Sequence, residues 1–130
     1  MMIQRALLAA VSAATASMLV SAAASAAPVL KGSWAAVTVG GKPMTGATLD
    51  ITDAKVSGKS VCNGYRGAIA VTKTTIKIGP LASTRMMCTG QMDAEATYLK
   101  ALQGAASYKL TADTLELTGA DGATLATFKR

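Results

Sequence analysis

The sequence predicts an α+β domain built on an antiparallel sheet with one helix. Three observations carry that expectation. Short segments on both sides of the middle of the chain alternate apolar and polar residues. One segment, about Met92 to Gln103, repeats its apolar residues at helical spacing. The order is therefore strands, one helix, then strands, which leaves no helices to cross over between parallel neighbours and excludes a βαβ-type sheet.

Each element has its own local reason. Trp34 to Val39 mixes alternation with β-branched residues and is stopped by Gly40-Gly41. Thr48 to Ile51 places Leu49 and Ile51 on one face, Thr52-Asp53-Ala54 turns the chain, and Lys55 to Gly58 returns. Ala68 to Val71, a Thr72-Lys73-Thr74 turn and Thr75 to Ile78 form a second hairpin, with Ile76 and Ile78 inward and Lys77 outward. Gly79-Pro80 ends it. The helix carries a stripe of Met92, Ala96, Leu99, Leu102 and Ala106, and its first turn holds Asp93 and Glu95, where the helix dipole favours acids. After it, Tyr108 and Leu110 alternate with Lys109, Leu115 and Leu117 alternate with Glu116, and Ala120-Asp121-Gly122 turns into a last strand, Thr124 to Phe128.

Residues 1–26 read as a secretory signal peptide. Arg5 precedes an uncharged run from Ala6 to Val20, and Ala24-Ser25-Ala26 matches an A-x-A cleavage site. A membrane anchor is the alternative, but a run of about 15 residues is short of the roughly 20 a span requires. The expected mature chain is one domain, 27–130, of 104 residues, with no stable membrane span after cleavage. The expected location is periplasmic or secreted. No cysteine lies near the cut, so no lipid attachment is expected there.

Without Arg5 the chain has 12 basic and 7 acidic residues. The basic residues are scattered and not interleaved with aromatics, which points away from nucleic acid and toward a solvated surface. Weak attraction to an anionic membrane or polymer is the alternative. Cys62 and Cys88 are the two cysteines; an even count in an exported chain favours a disulfide, and two separate buried thiols are the alternative. Two cysteines without any histidine supply too few ligands for structural zinc, so no metal is expected.

The absence of histidine also removes Ser-His-Asp and Cys-His catalysis. Asp50, Asp53, Asp93, Glu95, Asp113, Glu116 and Asp121 all have ordinary places at turns, hairpins or the helix start. Ser57 and Lys59 are a weak basis for a dyad, and Gly58, Gly64 and Gly67 are turn glycines rather than a phosphate loop. The reading is therefore not an enzyme, with no cofactor. Asn63 is suited to local backbone bonding in a turn. Arg85, between Thr84 and Met86-Met87, is read as a buried structural clamp, with a ligand contact as the alternative. The methionine pair is read as core filler.

Two blocks carry a resemblance: Ser60-Val61-Cys62-Asn63-Gly64-Tyr65-Arg66-Gly67 and Leu81-Ala82-Ser83-Thr84-Arg85-Met86-Met87-Cys88. Together with Trp34, Val56-Ser57-Gly58, Gly79-Pro80, Tyr98-Leu99, Ala101-Leu102 and Leu115-Glu116-Leu117, they resemble the META domain, or HslJ-like heat-shock, family. Gly64 stands where the family more often has Arg, so no role of a charge is carried over there. The resemblance implies a small, partly open ("cracked") antiparallel β-barrel or curved sheet with one helix. It implies an envelope protein connected with stress and binding a protein or envelope component, alternatively a carrier of a lipid or other small apolar molecule in the barrel mouth. The residues it singles out are Cys62, Asn63, Gly67, Thr84, Arg85, Met86 and Cys88.

Overall fold

A computed structural model of the chain describes residues 30–130. The expected signal peptide and the cleavage before Ala27 lie outside the described residues.

The elements are β1 (Gly32–Val39), β2 (Lys42–Pro43), β3 (Thr48–Thr52), β4 (Lys55–Lys59), β5 (Gly64–Val71), β6 (Ile76–Ile78), β7 (Ala82–Ser83), α1 (Met92–Gly104), β8 (Ser107–Thr111), β9 (Thr114–Thr118) and β10 (Thr124–Lys129). Every strand pairing is antiparallel, and the main path runs β6-β5-β4-β3-β1-β10-β9-β8, with β2 beside β1 and β7 beside β5. The sheet curls until its two ends meet. At the seam between β6 and β8, Thr75 bridges Ser107, the Ile76 amide donates to the Ala106 carbonyl, and Tyr108 N–H donates to Thr74. The Tyr108 hydroxyl reinforces the seam by reaching the Thr72 and Lys73 carbonyls, at 2.7 and 3.0 Å. The protein is thus a nearly closed antiparallel barrel with one seam and, among the described residues, a single helix.

Alternation sets the core. Trp34, Leu49, Ile51, Val56, Tyr65, Ile69, Ile76, Ile78, Leu115, Leu117 and Phe128 point inward from the strands, and Tyr98 and Leu102 point inward from α1. The expected helical stripe is corrected by about one residue: Ala96 is exposed, and the buried residues are Glu95, Tyr98, Ala101 and Leu102. The reason is that two polar side chains, Glu95 and Tyr98, find hydrogen-bond partners inside, so polarity does not mark the outer face.

Strand β5 begins at Gly64, four residues before the sequence suggests, and β2 and β7 are added. Two glycines explain why this corner reads poorly as strand. A Cβ on Gly67 would stand 2.7 Å from Leu81 Cδ2 and 3.0 Å from the Pro80 carbonyl, so the 80–81 segment crosses directly over it. Gly58 has φ +153°, and a Cβ there would collide with the Thr48 carbonyl. Both glycines lower strand propensity while allowing two backbones to approach.

Candidate functional site

The two sequence blocks meet at one end of the barrel. Ser60 closes a tight turn on itself: its amide donates to the Asn63 carbonyl at 2.7 Å. Between them Val61 has φ 83°, a left-handed conformation that is strained for a β-branched residue. This shape aims two successive backbone amides, those of Cys62 and Asn63, at one point. Glu95, from the first turn of α1, fills it.

Glu95 Oε1 accepts from the Asn63 amide at 2.7 Å, the Cys62 amide at 3.2 Å and the Ser60 hydroxyl at 2.9 Å. Its Oε2 accepts from Asn63 Nδ2 at 2.6 Å. The residue is 6% exposed. Burial by itself raises its pKa, but the bonds from Asn63, Ser60 and Cys62 together outweigh burial and hold the carboxyl below its usual range. The turn is thus an anion-binding concavity whose anion is supplied by the chain itself.

Asn63 passes the hold on to the second block. Its Oδ1 accepts from the Met86 amide at 2.6 Å and from the Thr84 hydroxyl at 2.8 Å, and its Nδ2 donates to the Met86 carbonyl at 3.1 Å. The Asn63 amide group therefore pairs with both backbone groups of Met86 as a neighbouring peptide would. Thr84 N–H donates to the Gly64 carbonyl at 3.0 Å, and its hydroxyl accepts from the Gly64 amide at 3.2 Å. A Cys62–Cys88 disulfide, with Cα atoms 5.9 Å apart, closes the same junction.

Among the residues singled out in the sequence, Cys62, Asn63, Thr84 and Cys88 come together here, and the Met86 backbone joins them. Gly67 lies further along β5, under Leu81. Arg85 is not the buried clamp expected from its neighbours: it is exposed and hydrogen-bonds to no described residue. Met86 and Met87 are not core filler either, being 57% and 82% exposed. The physical reason is shared. The second block is held through its backbone and Thr84, so the side chains of Arg85, Met86 and Met87 are left outside.

Sequence reasoning missed Glu95, whose place in the first helical turn already had a sufficient electrostatic reason. The signal was the alternative stripe Glu95, Tyr98, Leu102 and Ala105, as regular as the one preferred. It also missed a tyrosine pair beneath the junction. Tyr65 and Tyr98 hydroxyls lie 2.9 Å apart and 2.6 and 2.7 Å from the Thr48 carbonyl. Two protons serve three short contacts, so each phenol stays protonated. Burial pushes both pKa values above the usual phenol range; the bond from Tyr98 partly offsets this for Tyr65, and Tyr65 adds to it for Tyr98. No group of three or more His, Cys, Asp or Glu residues that could hold a metal occurs among the described residues. No described helix is long and apolar enough to cross a membrane.

The solved structures similar to this chain share its fold. One, determined by NMR from Burkholderia xenovorans, is 26% identical with a TM-score of 0.61, covering 85% of this chain and 94% of that one. A second NMR structure is 28% identical with a TM-score of 0.60, covering 75% and 87%. A DUF4847-family protein from Bacteroides vulgatus, solved by crystallography, is 16% identical with a TM-score of 0.61, covering 76% and 92%, a likeness of fold alone. No curated protein sequence matches significantly. The META domain family model matches residues 27–130, the span that contains the strained turn, its Glu95 anchor and the disulfide-closed loop, and the chain belongs to the META domain family.

Proposed function

We propose that the protein is a non-enzymatic, stress-related module of the cell envelope that binds a protein or other envelope component through the loop Thr84–Cys88. One observation carries this reading. The loop is fixed at its base by Asn63 and a disulfide, yet Met86 and Met87 stand 57% and 82% exposed beside an exposed Arg85. A pre-ordered loop loses little entropy on binding, and methionine offers an adaptable apolar contact. The disulfide is compatible with an extracytoplasmic place of action, as is the family.

The test is capture from envelope extract with the wild-type protein and with Arg85→Ala/Met86→Ser/Met87→Ser. The expected result is a partner retained by the wild type and lost by the variant at unchanged melting temperature. Identical sets of captured partners would overturn the loop reading.

A second reading, a carrier of a lipid or small apolar molecule, is favoured by one feature. An open groove of about 490 Å³ lies between α1 and the β9–β10 turn, lined by Val39, Ala101, Gly104, Ala120 and Leu125 among others. The barrel centre is filled by Trp34, Tyr98 and Phe128, so this groove, rather than the interior, would hold the cargo. Mass spectrometry of an organic extract of natively purified protein checks it, with a stoichiometric lipid as the supporting result.

A further inference from the structure

The positive charge of the chain is segregated. From Ala54 to Gln91 there are six basic residues, Lys55, Lys59, Arg66, Lys73, Lys77 and Arg85, and no acidic residue. The rest of residues 30–130 has six basic residues against seven acidic ones. All six cations of the 54–91 segment are exposed. The ion pair of Lys31 with Asp53, at 2.8 Å, does not involve any of them.

The fold puts four of the six on one sheet face. Lys55 and Lys59 flank Ser57 and alternate with buried Val56; Arg66 alternates with buried Tyr65; Lys77 stands between buried Ile76 and Ile78. Register aligns Ser57 with Arg66, Lys55 with Ala68, Lys59 with Gly64, and Ala70 with Lys77. Between the cations are therefore only Ser57, Gly64, Ala68 and Ala70, which leave the charged heads standing clear. Lys73 continues the field at the β5–β6 turn, and Arg85 follows β7 at the other end. Two shallow grooves, of about 490 and 710 Å³, run along this face; they share Ser57, Arg66 and Ala82, and no acidic residue lines either. The acids flanking this face are Asp50, opposite Ser57 on β3, and Asp53, which is already held by Lys31; Glu95 lies buried beneath its end, taken up by the Ser60–Asn63 turn.

We propose that the outer face of β4–β5–β6, with the adjoining β7, docks on the anionic headgroup surface of a phospholipid bilayer. Charge complementarity makes the occupant anionic. Its form follows from what the face lacks. Strand β5 is covered by β4 on one edge and by β6 and β7 on the other, and β7 is only two residues long, so no extended edge is offered to a peptide strand. No large apolar side chain is exposed on these strands, so a folded acidic protein would find no anchor. No aromatic side chain is exposed there for stacking bases. A headgroup layer requires neither edge nor anchor: dispersed lysines and an arginine near it each contribute roughly a fivefold gain in affinity. This surface adjoins the Thr84–Cys88 loop at Arg85, and its test leaves Arg85, Met86 and Met87 unchanged.

The experiment is sedimentation of the protein with phosphatidylglycerol-containing vesicles and with phosphatidylcholine vesicles, at low and physiological salt. The expected result is binding to the anionic vesicles alone, weakened by salt. Lys55→Glu/Arg66→Glu/Lys77→Glu is expected to lose more than tenfold in affinity. Lys42→Glu/Lys109→Glu/Lys129→Glu, with the same change in net charge, is expected to keep most of it. Equal losses in the two variants, no preference for anionic vesicles, or displacement from vesicles by soluble polyglutamate or inorganic phosphate beyond that by sodium chloride of equal ionic strength would overturn the proposal. A footprint on the wild type gives the answer without a variant. Amine labelling of vesicle-bound protein should spare Lys55, Lys59, Lys73 and Lys77 while Lys109 and Lys129 react as in solution; uniform labelling would contradict it.

Discussion

The Ser60–Gly64 turn and the Thr84–Cys88 loop touch at one junction and are built on opposite terms. In the turn, side chains face inward and are fully engaged: Ser60 and Asn63 are 0% and 1% exposed, and Glu95 joins them from α1. In the loop, the backbone is engaged and the side chains face outward, with Arg85, Met86 and Met87 all exposed. The difference teaches which residues carry stability and which are free to meet something else. A turn whose Ser60 hydroxyl, Cys62 and Asn63 amides and Asn63 side chain are taken up by a buried carboxylate offers none of these groups to a ligand. A loop clamped through the Met86 backbone, Thr84 and the disulfide leaves the side chains of Arg85, Met86 and Met87 at its tip available.

Removing the anchor should do the most harm. Glu95→Ala strands the Cys62 and Asn63 amides, the Asn63 side chain and the Ser60 hydroxyl; each unpaired buried group costs about 1–3 kcal/mol, so the expected loss is about 4 kcal/mol after water enters. Chemical denaturation should show it directly, and an effect below about 1 kcal/mol would mean the carboxylate does not hold the turn. Opening the disulfide by Cys62→Ser/Cys88→Ser should cost about 2–4 kcal/mol, read in the same way, since it constrains a loop with a sequence separation of 26.

Acid should weaken the anchor in a defined sense. Glu95 has a folded-state pKa below its unfolded value, so its stabilisation is present at neutral pH and is lost as pH falls through the folded pKa. The stability gap between wild type and Glu95→Gln should therefore be full at pH 7 and narrow below about pH 4, the ordinary glutamate range. A gap unchanged down to pH 3 would show that the turn does not depend on the charge. Smallest of all, Arg85→Ala and Arg85→Lys should each change stability by less than about 0.5 kcal/mol, as exposed substitutions do. A loss of 2 kcal/mol in either would restore Arg85 as a structural clamp.

The sequence showed the barrel more clearly than the junction. Alternation around Leu49, Ile51, Ile76, Ile78, Leu115 and Leu117 placed those side chains inward, and the structure has them there, because period two follows from backbone geometry alone. The helix runs Met92–Gly104 against an expected end near Gln103. The disulfide joins the two cysteines that an exported chain would pair. The junction was harder because its residues have ordinary reasons to be where they are. Glu95 suits the first turn of any helix, and the bond pattern that makes it an anchor comes from a turn 32 to 35 residues earlier. Arg85 has apolar neighbours, which suggest burial in the sequence, but Met86 and Met87 are themselves outside. The segregation of charge was hidden in a scatter of single lysines that only strand register aligns on one face.

The central claim is that Asn63 fixes the loop through the Met86 backbone while the Met86 side chain stays in solvent. Amide hydrogen exchange at Met86 tests it most directly. The Met86 N–H donates to Asn63 Oδ1 at 2.6 Å although the residue is 57% exposed, so the account predicts strong protection in the wild type and its loss in Asn63→Ala. Exchange of the Met86 amide at the rate of an unstructured peptide in the wild type, with the core of the barrel still protected, would contradict it.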